Sequence, residues 1–154
     1  MRSDGFVLLL LERYVGVSCN NGEWSNQNTM DMQFSAGDER FRQQVQRFLQ
    51  QHLTPELREA KAKQTSVFAD YDASLQWQRI LYNQGWVAPN WPEQFGGTGW
   101  DVVQRYIFNQ ELQRAGAPDL LPMGLGMVAH VIMKFGTTQQ QAFYLPRILS
   151  AQDF

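Results

Sequence analysis

Residues 85–100, GWVAPNWPEQFGGTGW, decide how the chain is divided into helices. The stretch holds two prolines and four glycines. Proline removes a backbone donor and glycine favours irregular backbone, so neither a helix nor a central strand can continue through it. A long structured loop is predicted instead. Because indole rings are costly to expose, we expect Trp86, Trp91 and Trp100 to pack back over the neighbouring helices.

An amphipathic helix is predicted upstream of the loop, from Ser35 onward. Ser35 is followed three residues later by Asp38, which resembles a capping box with Asp in place of Glu. Apolar residues recur at helical spacing on one face, which comprises Phe41, Val45, Phe48 and Leu49. The opposite, polar face comprises Arg40, Arg42, Gln43 and Gln46. This first helix is expected to bury its apolar face.

Two further helices are predicted between the first helix and the loop. The second is short and charged, and runs from Pro55 to about Lys63. The third takes Asp72 or Ser74 as its cap and ends at Gly85, where a left-handed residue can terminate a helix. Its apolar stripe comprises Leu75, Trp77, Ile80 and Leu81.

Three more helices are predicted after the loop. Asp101 caps the fourth, which ends at Gly116. Residues 120–135 are nearly free of charge and are interpreted as a buried core helix. Thr137 or Thr138 caps the last helix, whose apolar face comprises Phe143, Tyr144, Leu145, Ile148 and Leu149. No strand pattern is found, so the fold class is predicted to be all-α, a bundle of five to six helices.

The composition excludes several classes of function. A net charge of -2 with no basic run gives no field that would gather nucleic acid. A single cysteine, Cys19, excludes an internal disulfide and is typical of a reducing cytoplasm. His52 and His130 stand far apart in sequence, so no metal site is predicted.

The first 31 residues are interpreted separately, as a leader, a linker or a non-native segment with poor order. The apolar run of residues 5–11 is interrupted by Glu12 and Arg13, too early for a membrane span. A signal peptide is the alternative that we reject for this run. Residues 32–154 are expected to form the folded domain.

Four motifs in a fixed order resemble the N-terminal helical domain of bacterial-type acyl-CoA dehydrogenases. They are Gly85–Pro89 leading into Trp91–Gly99, Gln110–Pro118, Gly136–Gln141 and Tyr144–Ile148. Each motif alone is weak, whereas the ordered set is specific. The resemblance covers about residues 32–154.

The resemblance implies an FAD-dependent enzyme that converts an acyl-CoA thioester to the trans-2-enoyl thioester. It also implies electron-transfer flavoprotein as the electron acceptor and a homo-oligomer for the full-length enzyme. The family's β-domain, its catalytic carboxylate and most of its flavin site belong to later segments. We therefore expect a truncated chain with no catalytic residue, which neither retains FAD nor is active alone.

The resemblance also places a wall of the acyl pocket in this chain. Leu121, Met123, Gly124 and Met127 are the candidate substrate-binding residues. Burial of an acyl chain contributes about 0.8 kcal/mol per methylene, and small or pliable side chains leave it room. The alternative for Met123 and Met127 is that they only fill the core.

Other conspicuous residues have plainer interpretations. His130 is expected to be a satisfied core histidine, and Glu111 a structural carboxylate in a salt bridge instead of a general base. The glycines at 96–99 follow no predicted strand and lack a P-loop lysine, so they are interpreted as a turn. Trp91 is expected to be a packing anchor, with a role in covering the flavin or the substrate entrance as the alternative.

Two alternatives to a dehydrogenase domain stay open at this point. The chain could be a helical interaction subunit that works only with a separate flavin-binding chain. It could also come from a relative with acyl-CoA oxidase or nitroalkane oxidase chemistry.

Overall fold

The structure, a computed structural model, describes residues 17–20, 23–26, 34–64 and 70–153. The chain divides into two units, residues 1–34 and residues 35–154. The first unit contains an antiparallel hairpin of β1 (Val17–Asn20) and β2 (Glu23–Asn26). This hairpin corrects the expectation that the chain holds no strand.

The second unit is helical, as predicted. Its α-helices in the described ranges are α1 (Ala36–His52), α2 (Pro55–Ala62), α3 (Tyr71–Gln84), α4 (Val102–Ala115), α5 (Ala129–Phe135) and α6 (Thr138–Leu149). A 3₁₀-helix (Glu93–Phe95) lies in the loop between α3 and α4, and a π-helix (Met123–Val128) leads directly into α5. The all-α fold class is confirmed for this unit.

Most helix ends lie where the capping residues predict them. The capping box of Ser35 and Asp38 is formed, with the Ser35 hydroxyl oxygen accepting the Asp38 amide at 3.1 Å. Gly85 and Gly116 end α3 and α4 with φ of 76° and 70°. Asp101 caps α4 through the Gln104 amide.

The cap of α3 is a correction. Asp70 accepts the backbone N–H of Ala73 at 2.9 Å and is the N-cap, whereas Asp72 and Ser74 lie inside the helix. Ser74 is unavailable as a cap because it is fully buried and donates its hydroxyl to the carbonyl of Asp119 at 2.7 Å. The sequence pattern was ambiguous because Asp70 and Asp72, which can both accept a capping hydrogen bond, lie within one helical turn of each other.

The core is built where α1, α3, α4 and the long loop meet. Trp86 and Trp100 return from the two ends of the loop as expected, with their ring centroids 5.5 Å apart. Trp86 packs 4.8 Å from Phe48 of α1, and Trp100 packs 4.9 Å from both Phe41 and Phe108. The loop is therefore part of the core.

A close backbone approach holds the loop in this shape. A Cβ on Gly97 would lie 1.8 Å from the carbonyl oxygen of Trp91, so only glycine fits there. The amide of Gly97 donates to the carbonyl of Pro92 at 3.1 Å. Gly96 and Gly99 adopt φ of 94° and 68°. The glycine cluster is therefore a turn, as interpreted from the sequence.

Arg42 departs from the predicted polar face of α1. Its side chain is buried, and its guanidinium lies 2.9 Å from a carboxylate oxygen of Glu111 on α4. The pattern missed this because a buried arginine needs a partner from another helix, which helical spacing cannot reveal.

Candidate functional site

Residues 120–135 do not form the buried core helix predicted for them. The helix begins only at Met123, as a π-helix, and its N–H groups reach back five residues, as in the bond from Ala129 to the Gly124 carbonyl. Of its residues from Met123 to Phe135, Gly124 and Ala129 are buried, whereas the Phe135 side chain is 74% exposed. A segment that is apolar on all sides cannot show which face turns inward, so the prediction was wrong.

An apolar groove of about 440 Å³ lies between this segment and α6. Gly124, Val128 and Ile132 form one wall, and Tyr144 and Ile148 form the other. The pairs Val128 and Ile132, and Tyr144 and Ile148, are each four residues apart, so each pair occupies one helix face. The groove is therefore the concave apolar surface in the region where the sequence placed an acyl pocket.

The candidate substrate-wall residues are only partly brought together. Gly124 lines the groove. Leu121 is half-buried in the irregular turn before the π-helix. Met123 and Met127 are 59% and 58% exposed and do not line it. A role for these four residues in substrate binding stays a prediction.

The α6 wall was missed from the sequence. Tyr144 and Ile148 were assigned to an apolar face of α6, and Leu145, Ile148 and Leu149 of that face are buried. Tyr144 and Phe143 are instead 43% and 57% exposed, so that part of the predicted face is a correction. The spacing of Tyr144 and Ile148 would have identified this wall, had the neighbouring helix been known.

Trp91 of the loop touches the π-helix. Its indole N–H donates to the carbonyl oxygen of Leu125 at 3.0 Å, and the side chain is 5% exposed. In a regular α-helix the Leu125 carbonyl would accept the amide of Ala129, which here bonds to Gly124. The expected packing-anchor role of Trp91 is confirmed by its burial.

One of the residues that line the groove, Asp153, forms an ion pair with Arg147. The Nε and Nη2 atoms of Arg147 donate to the two carboxylate oxygens of Asp153 at 2.6 and 2.9 Å. These hydrogen bonds, and then the positive charge itself, hold the pKa of Asp153 below its ordinary value. The same pairing raises the pKa of Arg147. Asp153 therefore lines the groove as a carboxylate neutralised by its neighbour.

Glu111 and His130 have different outcomes. Glu111 is buried in a salt bridge, which confirms its interpretation as a structural carboxylate. His130 is exposed on α5, so the expectation of a core histidine was wrong. His130 lies on the outward-facing side of α5, and the sequence did not show which side of that helix faces inward.

The described ranges contain neither a candidate metal centre nor a candidate membrane span. No three His, Cys, Asp or Glu side chains there come together as a possible metal centre. None of the helices described is both long and apolar enough to cross a bilayer.

Comparison with known proteins accounts for the helical unit as a whole. The model of the family described as "Acyl-CoA dehydrogenase, N-terminal domain" matches residues 35–152. The chain belongs to the acyl-CoA dehydrogenase family. This confirms the resemblance carried by the four sequence motifs, and it places the chain in a family of FAD-containing oxidoreductases.

Relatives of known sequence support the same assignment. Acyl-CoA dehydrogenase FadE26 of Mycobacterium tuberculosis is 32% identical over 123 residues, which are 77% of this chain and 30% of that protein. Acyl-CoA dehydrogenase IpdE1 of the same organism is 34% identical over 116 residues, covering 71% of this chain and 29% of the relative. The acyl-CoA dehydrogenase chain described here thus spans about a third of the length of these relatives.

Two solved structures are similar in fold. One is described as "Tcur3481-Tcur3483 steroid ACAD", with a TM-score of 0.62 and 29% identity, covering 79% of this chain and 30% of that one. The other is the ChsE4-ChsE5 complex from Mycobacterium tuberculosis, with a TM-score of 0.60 and 31% identity, covering 81% and 30%.

The groove does not fit the pyrophosphate of FAD. No arginine or lysine lines it in the described part of the chain, and the nearby Arg147 is already paired with Asp153, so no free positive charge would balance a phosphate. The lining of this acyl-CoA dehydrogenase domain is mostly apolar and suits a hydrocarbon instead.

Proposed function

We propose that this chain is the N-terminal helical domain of an FAD-dependent acyl-CoA dehydrogenase, and that its groove binds part of the acyl group. The whole enzyme would remove two hydrogens across the α,β-bond of an acyl-CoA thioester, giving the trans-2-enoyl thioester. The observation that carries the proposal is the apolar groove, because it lies within the segment that matches the family.

The groove would contribute binding energy and would exclude water. At about 0.8 kcal/mol per buried methylene, four methylenes would contribute about 3 kcal/mol. The charged groups of Arg147 and Asp153 satisfy one another and so would not compete for the thioester. Proton abstraction needs a base within hydrogen-bond reach, and we assign that role, and FAD binding, to segments outside this chain.

The similar solved structures favour a bulky substrate and a second chain. One of them is described as a steroid enzyme, and both descriptions name two different proteins. We therefore propose a CoA thioester with a steroid-derived acyl group, and an enzyme in which this chain assembles with a distinct partner. This replaces the homo-oligomer as the favoured assembly. Electron-transfer flavoprotein as the acceptor and a cytoplasmic location remain part of the proposal.

The decisive experiment is a turnover assay of the enzyme that carries this domain, with a linear acyl-CoA series and a steroid side-chain CoA thioester. Ile132→Trp fills the groove, and Val102→Trp places the same bulk on a position of α4 that is 72% exposed and outside the groove. We expect kcat/KM on the steroid substrate to fall at least tenfold more for Ile132→Trp than for Val102→Trp. An equal fall, or a larger one for Val102→Trp, would contradict the groove as the acyl site.

Two further readouts address the alternatives. Hydrogen peroxide formed in equal amount to product would identify an oxidase in place of a dehydrogenase. Gel filtration of the 154-residue chain after incubation with FAD tests its independence. Flavin that elutes with the protein and is bleached by an acyl-CoA would show that this chain builds a complete site alone.

A further inference from the structure

A hydrogen bond from the Trp91 indole to the Leu125 carbonyl joins the loop to the π-helix, which also carries Gly124 of the groove wall. We propose that Trp91 is a positioning residue, which holds residues 123–128 in their π-helical register and thereby sets the size of acyl group that the groove accepts. The inference rests on the proposed function of the groove and deepens it.

The π-helix takes the usual α-helical donor away from the Leu125 carbonyl. The Ala129 amide reaches back five residues to Gly124, at the point where α5 begins with the usual repeat. Its α-helical acceptor would be the Leu125 carbonyl. A helix carbonyl without its usual donor inside a protein needs another partner. The buried indole of Trp91 provides it at 3.0 Å.

The loop holds the Trp91 backbone closely. The Trp91 carbonyl oxygen lies 1.8 Å from where a Cβ on Gly97 would be, and the Trp91 amide donates to the Ala88 carbonyl at 3.1 Å. Pro92 follows directly and restricts the backbone of Trp91. Contacts within the loop therefore fix the position of the indole donor.

The helical register of residues 123–128 decides which side chain faces the groove. Successive helical residues are turned by about 100°, so a change from π to α register rotates the preceding turn by about one residue. Gly124 would then leave the groove wall, and the side chain of Met123 or Leu125 would take its place. Both are much larger than glycine, so the groove would narrow. The helical register of residues 123–128 therefore limits the size of the acyl group that the groove can hold.

Trp91→Phe is the direct test, because it keeps an aromatic ring but removes the indole N–H together with part of the ring volume. Trp77→Phe is the matched control, since the Trp77 indole N–H is buried and has no hydrogen-bond partner in the described residues. Deletion of Gly126, an exposed glycine of the π-helix, provides an independent variant that shortens the wide turn. The three variants are prepared and measured under the same conditions.

Amide hydrogen exchange of the full chain reports on the π-helix without any assay of activity. We expect the amides of residues 127–131 to exchange about fivefold faster in Trp91→Phe, relative to those of α4, as the loss of one hydrogen bond implies. Trp77→Phe should leave that ratio unchanged. An unchanged exchange ratio in Trp91→Phe would overturn the proposal that Trp91 holds the π-helix in its register.

Turnover of the enzyme that carries this domain tests the consequence. The preference in kcat/KM for a bulky over a short acyl-CoA should fall about tenfold in Trp91→Phe and in the Gly126 deletion, but not in Trp77→Phe. Faster exchange with no change in preference would overturn the role in specificity. If the wild-type enzyme turns over no acyl-CoA, the proposed function fails. The exchange ratio still decides whether Trp91 holds the π-helix in its register.

Discussion

The guanidinium of Arg42 and the carboxylate of Glu111 lie 2.9 Å apart with their side chains only 10% and 6% exposed, and this pair joins α1 to α4. The second carboxylate oxygen of Glu111 accepts a hydrogen bond from Gln46 at 2.9 Å, and Arg114 approaches the first at 3.2 Å. Both charges are therefore partnered inside the protein. The pair fixes how the two helices that carry the aromatic core are aligned.

Removing one partner of this pair should be strongly destabilising. Glu111→Ala leaves the Arg42 charge buried beside a void, and we expect the free energy of unfolding to fall by about 3 kcal/mol. Urea denaturation measures it. The exposed pair of Lys63 and Glu59 provides the control, because Glu59→Ala should change the free energy by less than about 1 kcal/mol. Similar losses for the two variants would contradict a structural role for Glu111.

Gly97 should tolerate no side chain. Its Cβ would overlap the Trp91 carbonyl, so Gly97→Ala must displace the loop and should lower the free energy of unfolding by about 3 kcal/mol. Gly85→Ala is the matched comparison, since Gly85 has a positive φ but open space around its Cα, and about 1 kcal/mol is expected there. Thermal unfolding of both variants decides between steric overlap and backbone conformation as the dominant effect.

The pair of Lys61 and Asp119 should make stability depend on pH in the acid range. Lys61 Nζ lies 2.5 Å from Asp119 Oδ2, and this hydrogen bond is the main cause that lowers the pKa of Asp119 from its ordinary 3.8. A lowered folded-state pKa stabilises the protein above 3.8, and the contribution disappears as pH falls through the folded-state value.

Asp119→Asn tests this dependence. Its unfolding midpoint should lie below that of the wild type at pH 6–7, and the difference should shrink once the pH is below about 3.8. Lys61→Met removes the other partner and should reproduce the same convergence. A difference that stays constant down to the acid end would rule out the ion pair as its source.

The exposed apolar face around the groove should cause the chain to associate. Val131, Phe135 and Phe143 are 59%, 74% and 57% exposed on neighbouring helices. We expect Phe135→Glu to reduce the apparent mass of the 154-residue chain in sedimentation. Val102→Glu alters a position that is 72% exposed on α4, and it should leave the mass unchanged. An equal fall in apparent mass for the two variants would show that net charge, and not the apolar face, controls association.

The helices were predictable because the residues that begin and end each of them lie next to the helix in sequence. A capping serine with an aspartate three residues on, or a glycine at the end of a periodic run, acts within one turn of the chain. Ser35, Asp101, Gly85 and Gly116 all perform the predicted role. The loop was predictable for the same reason, since its prolines and glycines exclude regular structure by themselves.

The site was less predictable because it depends on contacts between distant residues. The π-helical register involves a hydrogen bond from Trp91, thirty-four residues away in sequence, to Leu125. Arg42 is buried through Glu111 on another helix. The inward face of residues 123–135 is decided by what covers it, and apolar residues on every side leave no periodicity to read. Of the four pocket candidates, the groove therefore includes Gly124 alone.

The return of Trp86 and Trp100 into the core has a consequence for how proteases meet this protein. A sixteen-residue connection with only one short 3₁₀-helix would ordinarily be the first place where a protease cuts. Here its two ends are held in the same aromatic cluster as Phe48 and Phe108, so the exposed segment between them can extend into the active site of a protease only when the helices open. Cleavage in this loop should accordingly follow the population of the globally unfolded chain and should slow with each mutation that stabilises the helices.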